Sequence, residues 1–248
     1  MDLYCGCGGL AEGLKLSGLH IEHGVDNDHH AGAAFEINNP QASMWFSDVS
    51  SLLQQIKQGK DPALPQPGSL DVISCGPPCQ GFTTLGHDCD KSAVDRQELS
   101  SALELLLHMR PRLILCENVP GLLRPQHVSY FREFVAGLVA NGYQVQCAVL
   151  CAAHYGVPTT RKRLFIFAAL PGIALPKLPK PTHNLPGNEN EKLAGLPVAV
   201  TAGEALAGLP VLREEGCEPL QSMWVGNSDS AVSGGGGEGR AGAKGHFS

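Results

Sequence analysis

The chain lacks the C-x2-C pairs of a zinc site, and its cysteines are poorly spaced for a metal. There are nine of them, an odd number. The near pairs Cys5-x-Cys7, Cys75-x3-Cys79 and Cys147-x3-Cys151 all miss the C-x2-C pattern of a zinc ligand set. Free thiols in a reducing compartment, and no metal, are therefore expected. Long apolar runs are also missing. No stretch reaches the ~18 residues of a membrane span, and residues 1–20 show no basic segment ahead of an apolar one, so neither a membrane segment nor a secretory signal is expected. Basic charge is scarce too: a formal net charge of -6 argues against broad, non-specific polyanion binding, though not against a local basic face. No internal repeat is present.

What the chain does have is enough apolar sequence for a sizeable core. It is 248 residues long, 43% hydrophobic and 17% charged, the composition of a soluble globular protein with one large domain or a domain plus a tail. Periodicity predicts alternating strands and helices. Asp2–Cys5 reads as a strand running into Gly6-Cys7-Gly8-Gly9. A helix through Leu10, Leu14 and Leu16 follows, closed by Gly18. Further strands are expected at His20–Val25, Ser43–Phe46, Leu70–Ile73 and Leu113–Cys116. Further helices are expected at His30–Asn38, Ser50–Lys57, Glu98–Met109 and Val128–Asn141. Val145–Cys151 and Leu164–Ala169 are joined by a short connection, which suggests an antiparallel pair at a sheet edge. The fold class is α/β, with a mostly parallel sheet and an antiparallel edge hairpin.

Two stretches carry chemistry. Gly6-Cys7-Gly8-Gly9-Leu10-Ala11 satisfies G-x-G-x-x-G/A, with Asp26 eighteen residues past Gly8. A strand, a glycine turn and a helix in that order bind the adenosine of either a dinucleotide or S-adenosylmethionine, or simply pack a helix on a strand. Asp26 and Asp48 both end strands. Either could cap the helix that follows, but two acids on one sheet edge favour a ligand rim. The other stretch is Ser74-Cys75-Gly76-Pro77-Pro78-Cys79-Gln80-Gly81-Phe82. Glycine and two prolines stop the strand and stiffen the loop, so Cys79 stands at the carboxyl end of a strand, where open α/β sheets bind ligands. A lone cysteine is more often a buried, inert thiol; the loop and its partners reverse that reading.

Pro77-Pro78-Cys79-Gln80, taken with Glu117-Asn118-Val119, resembles the DNA (cytosine-5) methyltransferases. Asp2–Gly13, Gly76–Phe82, Glu117–Gly121 and Thr160–Arg163 occur in that family's order and approximate spacing, over about residues 1–183. Leu3–Gly9, Asn38-Asn39-Pro40, Arg110-Pro111-Arg112 and Lys180-Pro181-Thr182-His183 look closest to the eukaryotic maintenance and chromomethylase branches. The resemblance implies a Rossmann-like S-adenosylmethionine-dependent fold, double-stranded DNA with a flipped cytosine as partner, and a nuclear location. It implies that Cys79 is the nucleophile that adds to cytosine C6. Glu117 would be the acid that protonates N3, which calls for surroundings that keep its carboxyl protonated. The family's arginine pair falls on Arg161 and Arg163. The cofactor would be surrounded by Cys5, Gly6, Gly8, Gly9, Leu10, Asp26, Asn27, Asp48 and Val49, with Cys5 and Val49 acting mainly through backbone atoms.

The resemblance also sets domain boundaries. Residues 1–170 are expected to be the catalytic core, 171–225 a partial linker toward a missing target-recognition domain, and 226–248 a disordered Gly-rich tail. Only 85 residues follow Arg163. Gly226-Asn227-Ser228 echoes the family's closing motif, but Asp229 stands where an apolar residue is expected, and the echo is read as chance. Two other readings stay open: an inactive remnant of such an enzyme, and an RNA cytosine-5 methyltransferase.

Overall fold

Seven strands form one sheet, and the helices that connect them cover both of its faces. In chain order the elements are β1 (Asp2–Leu3), α1 (Gly9–Leu16), β2 (His23–Asp26), α2 (His29–Asn38), β3 (Ser43–Phe46), α3 (Val49–Gln58), β4 (Val72–Cys75), α4 (Cys89–Met109), β5 (Leu113–Asn118), α5 (Val128–Ala140), β6 (Gln144–Cys151), β7 (Lys162–Ala169) and α6 (Ala202–Leu206). This computed structural model describes residues 1–59, 61–82, 89–185, 193 and 195–209. The stretch expected to be a Gly-rich tail and the Gly226-Asn227-Ser228 echo lie outside the described residues. Met1–Ala205 form one compact unit. Among the described residues, no helix is long and apolar enough to cross a membrane.

The strand order is β3-β2-β1-β4-β5-β7-β6. The first five strands in that order pair in parallel, while β7 runs antiparallel to both β5 and β6. Chain direction across the sheet reverses between β1 and β4, which are neighbours. Right-handed crossovers therefore send α1 and α2 to one face and α3, α4 and α5 to the other. The two cores agree with this. Leu3, Val25, Ile73, Cys75, Ile114 and Cys116 pack with Leu52 and Ile56 of α3, Leu105 and Leu106 of α4, and Phe134 and Leu138 of α5. Ala11 of α1 and Phe35 of α2 form a separate cluster with Cys5 and Ile21. The crevice at such a reversal is where open α/β sheets place their ligands.

Several boundaries depart from the expectation, two of them for a clear local reason. β1 ends at Leu3 because Tyr4 turns into the left-handed region at φ 55, although the Cys5 N–H still donates to Val25 O at 3.0 Å. α4 starts at Cys89 rather than Glu98. Its first two turns carry few apolar residues, so periodicity could not find them, and a helix once nucleated extends at little cost per residue.

Candidate active site

The glycine turn joins the end of β1 to α1. Gly8 is the N-cap of α1 at φ 95, a conformation that favours glycine. A Cβ there would stand 2.9 Å from Asn39 Nδ2 and 3.2 Å from the Phe35 ring, so space excludes a side chain as well. Asp26, at the end of β2, closes the turn: its Oδ2 accepts the Gly6 N–H at 2.8 Å and its Oδ1 accepts the Asp28 N–H at 2.9 Å. Asn27 lies exposed beside it.

Asp48, at the N-terminus of α3, is a helix cap. Its Oδ1 accepts the Ser51 N–H at 2.8 Å and the Ser50 hydroxyl at 2.7 Å, and these bonds hold its carboxyl below the usual carboxylate range. The Val49 side chain is buried at 1% exposure, so only its backbone can meet a ligand. Cys5 is buried too, and burial pushes its thiol up to about 12, which leaves it a packing group. Leu10 Cδ1 lies 3.9 Å from where a Cβ on Gly76 would stand. The glycine turn and the Pro-Pro-Cys loop therefore face each other across the crevice.

The second group of expected residues converges on the carboxyl ends of β4 and β5. These strands pair in register, Cys75 with Cys116, so Cys79 and Glu117 leave the sheet at the same edge. β7 arrives from the opposite direction, which brings its first residues to that edge. Arg163 Nε lies 2.8 Å from Glu117 Oε1, and Arg161 NH2 lies 3.7 Å from the same oxygen. Glu117 thus stands in an ion pair with 21% of its side chain exposed, rather than in the sealed apolar pocket that a carboxyl kept protonated by burial would need. Burial pushes the half-buried Cys79 thiol above its ordinary value. The Glu117 carboxylate adds to that, Arg163 opposes it, Asp95 adds again, and Arg161 opposes.

Several further residues, most of them within the motif stretches, hold this arrangement. The buried Asn118 donates from Nδ2 to Pro77 O at 3.5 Å and accepts the Val119 N–H at 2.8 Å, which ties the Pro-Pro-Cys loop to the end of β5. The fully buried Phe82 sits against the rings of His127 and Tyr130, with centroids 5.1 and 6.0 Å away. Gly121 must be glycine, because a Cβ there would overlap the backbone oxygen of Phe82. Asp2 is fully buried in β1 and accepts the Ser74 hydroxyl at 2.6 Å; burial raises its carboxyl to about 6. Cys75 and Cys116 bring their sulfurs to 2.7 Å inside the core. Among the described residues no cluster of three metal-ligating side chains occurs, and Cys5, Cys7, Cys75, Cys79, Cys116, Cys147 and Cys151 are free thiols.

The family model described as C-5 cytosine-specific DNA methylase matches residues 1–209. The chain is 34% identical over 209 residues to DNA (cytosine-5)-methyltransferase 1A of Oryza sativa subsp. japonica, a match that covers 74% of this chain and 14% of that protein. It is 34% identical over 191 residues to DNA (cytosine-5)-methyltransferase PliMCI of Paracentrotus lividus, covering 74% of this chain and 12% of that protein. Its fold is similar to a prophage-encoded DNA modification methyltransferase of E. coli, with a TM-score of 0.62 at 28% identity, covering 85% of this chain and 55% of that one. It is also similar to the DNMT2 of Spodoptera frugiperda, with a TM-score of 0.54 at 26% identity, covering 70% of this chain and 50% of that one. The chain therefore spans about a seventh or less of the length of these curated relatives. Over the residues it shares with them, the chain belongs to the C-5 cytosine-specific DNA methylase family.

Proposed function

We propose that this chain is the catalytic core of a DNA cytosine-5 methyltransferase, which moves a methyl group from S-adenosylmethionine to C5 of cytosine in double-stranded DNA through a Cys79–C6 adduct. One observation carries the reading: the half-buried Cys79 thiol shares a sheet edge with Glu117 and with the Arg163 guanidinium 2.8 Å from that carboxylate, across a crevice from the glycine turn. C5 of cytosine is a weak nucleophile. A thiolate that adds at C6 while N3 gains a proton turns C5 into an enamine carbon that can take a methyl group.

The residues present fit an adenosine-bearing cofactor. At Gly6 and Gly9 nothing lies within 4 Å of where a Cβ would be, so the turn's backbone borders open space, with Asp26 at its rim. When bound there, S-adenosylmethionine supplies an electrophilic methyl group on a sulfonium. In the proposed cycle the Glu117 carboxylate takes the thiol proton as Sγ bonds to C6, passes it to N3 and returns to its ion pair with Arg163. After C5 takes the methyl group, water carries off the C5 proton, the C6–S bond breaks as the aromatic ring is restored, and the N3 proton returns through Glu117 to the departing thiolate. The base must leave the helical stack to reach Sγ, which costs a few kcal/mol. Arg161, 59% exposed, offers charge to a phosphate of the distorted strand. A nuclear location goes with this reading.

The test is transfer of labelled methyl from S-adenosylmethionine to matched DNA and RNA duplexes. Label on C5 of DNA cytosine is expected. Label on RNA alone would move the assignment to RNA cytosine, and no label on either would leave an inactive relative.

A further inference from the structure

Beyond the expected catalytic residues, the loop that carries Cys79 is held from α4 by a group that no motif marks. Cys79, Gln80, Gly81 and Phe82 form one tight turn in which the Phe82 N–H donates to Cys79 O at 3.1 Å. The Gly81 N–H at the middle of that turn donates to Asp95 Oδ2 at 2.6 Å, a buried bond. Asp95 is itself 3% exposed. A carboxylate is costly to bury unless it is well bonded, and a charge-assisted bond to a backbone N–H is among the stronger ways to bond it.

We propose that Asp95 is the positioning residue of the reactive loop: by holding the Gly81 N–H it fixes where the Cys79 sulfur stands relative to Glu117. This rests on Cys79 being the reacting thiol. The anchor is one of three. Asn118 holds the near side of the loop at Pro77 O, and Phe82 is seated over Gly121 on the far side. Asp95 is the only one of the three that brings a charge. Among the described residues, the charged groups acting on the thiol are Glu117 of β5, Arg163 of β7, Arg161 just before β7, and Asp95 of α4. A carboxylate placed there opposes thiolate formation, so Asp95 gains loop geometry at the expense of thiol acidity.

The test uses the full chain with Asp95→Asn, which keeps an acceptor but removes the charge, and Asp95→Ala, which removes both. Two readouts are followed: hydrogen exchange at the Gly81 amide, and the pH profile of Cys79 alkylation by iodoacetamide, read by peptide mass spectrometry. Gly81 is expected to exchange roughly tenfold or more faster in Asp95→Ala, to regain most of its protection in Asp95→Asn, and Cys79 in Asp95→Asn is expected to alkylate with a midpoint at lower pH. Equal Gly81 exchange in all three proteins overturns the assignment. If Asp95→Ala does not fold, Gly81 exchange in Asp95→Asn decides: the weaker neutral acceptor is expected to leave the amide exchanging faster than in the parent, and exchange equal to the parent's overturns the assignment. Neither readout needs methyl transfer, so an inactive chain that shows both shifts would lose the enzymatic reading and keep Asp95 as the anchor of the Cys79 loop.

Discussion

The Nε of Arg163 stands 2.8 Å from Oε1 of Glu117, with each side chain less than a quarter exposed (23% and 21%). That pair sets the charge around Cys79. A cation near a thiol favours the thiolate and an anion disfavours it. Here the carboxylate is the stronger of the two influences, second only to burial. Burial and that carboxylate together hold the Cys79 thiol above its ordinary value.

Removing the cation should make this worse. Arg163→Ala takes away the larger of the two opposing influences, so the midpoint of Cys79 alkylation should move to higher pH, and alkylation at pH 8 should slow. Arg163→Lys, which keeps the charge but not the planar fork, should fall between the two. If the Arg163→Ala profile matched the parent's, the guanidinium would have no electrostatic hold on the thiol.

Cys79→Ser should abolish the denaturant-resistant complex with duplex DNA that carries 5-fluorocytosine, where loss of the C5 substituent is blocked. Thermal stability should change by less than about 1 kcal/mol, because the sulfur is only half buried. A complex of undiminished yield would remove Cys79 from the chemistry. Glu117→Gln should leave that complex weaker and slow methyl transfer by about 10²–10⁴-fold, the usual contribution of a positioned general acid.

A buried acid in β1 gives a prediction about folding rather than catalysis. The Asp2 carboxyl moves from its ordinary 3.8 to about 6 in the folded chain. The fold therefore favours its neutral form. Its contribution to stability is complete below pH 3.8 and is lost as pH rises through about 6; the amount is on the order of 3 kcal/mol. Asp2→Asn keeps an acceptor for Ser74 and cannot ionise. It should raise Tm at pH 7.5 and leave Tm unchanged near pH 3.5. Calorimetry at the two pH values checks this, and a lower Tm for Asp2→Asn at pH 7.5 would refute it.

Gly121→Ala tests the seat under Phe82. The added methyl meets a backbone oxygen, which cannot swing aside, so the cost should be about 1–3 kcal/mol or more. The loop that carries Cys79 should shift with it. Formation of the 5-fluorocytosine complex should fall further than Tm alone would explain.

The strands and most helices were legible because their apolar residues repeat at the period of the element they form. The glycine turn, the Pro-Pro-Cys loop and the acids at strand ends were legible because glycine, proline and aspartate act on their own backbone neighbourhood. Asp48 shows the limit of that kind of reading. A cap and a ligand contact place the same residue at the same position, and only the bonds to Ser50 and Ser51 distinguish the first. Asp95 and Asp2 were not legible at all. What matters about each is a partner far away in sequence, Gly81 for one and Ser74 for the other, and no local pattern encodes such a meeting. The start of α4 was missed for a related reason: its first turns have too few apolar residues to show a period.

β7 lies between two strands that run against it, paired with β6 without interruption from Gln144–Ala169 to Cys151–Lys162. Had it run with its neighbours, its last residues, the alanines at 168 and 169, would have reached the crevice in place of two arginines. Reversal makes the hairpin a ruler whose zero mark is the reactive edge. Lengthening residues 156–161 would leave the strand pairing in place and change only the segment that enters β7 at that edge.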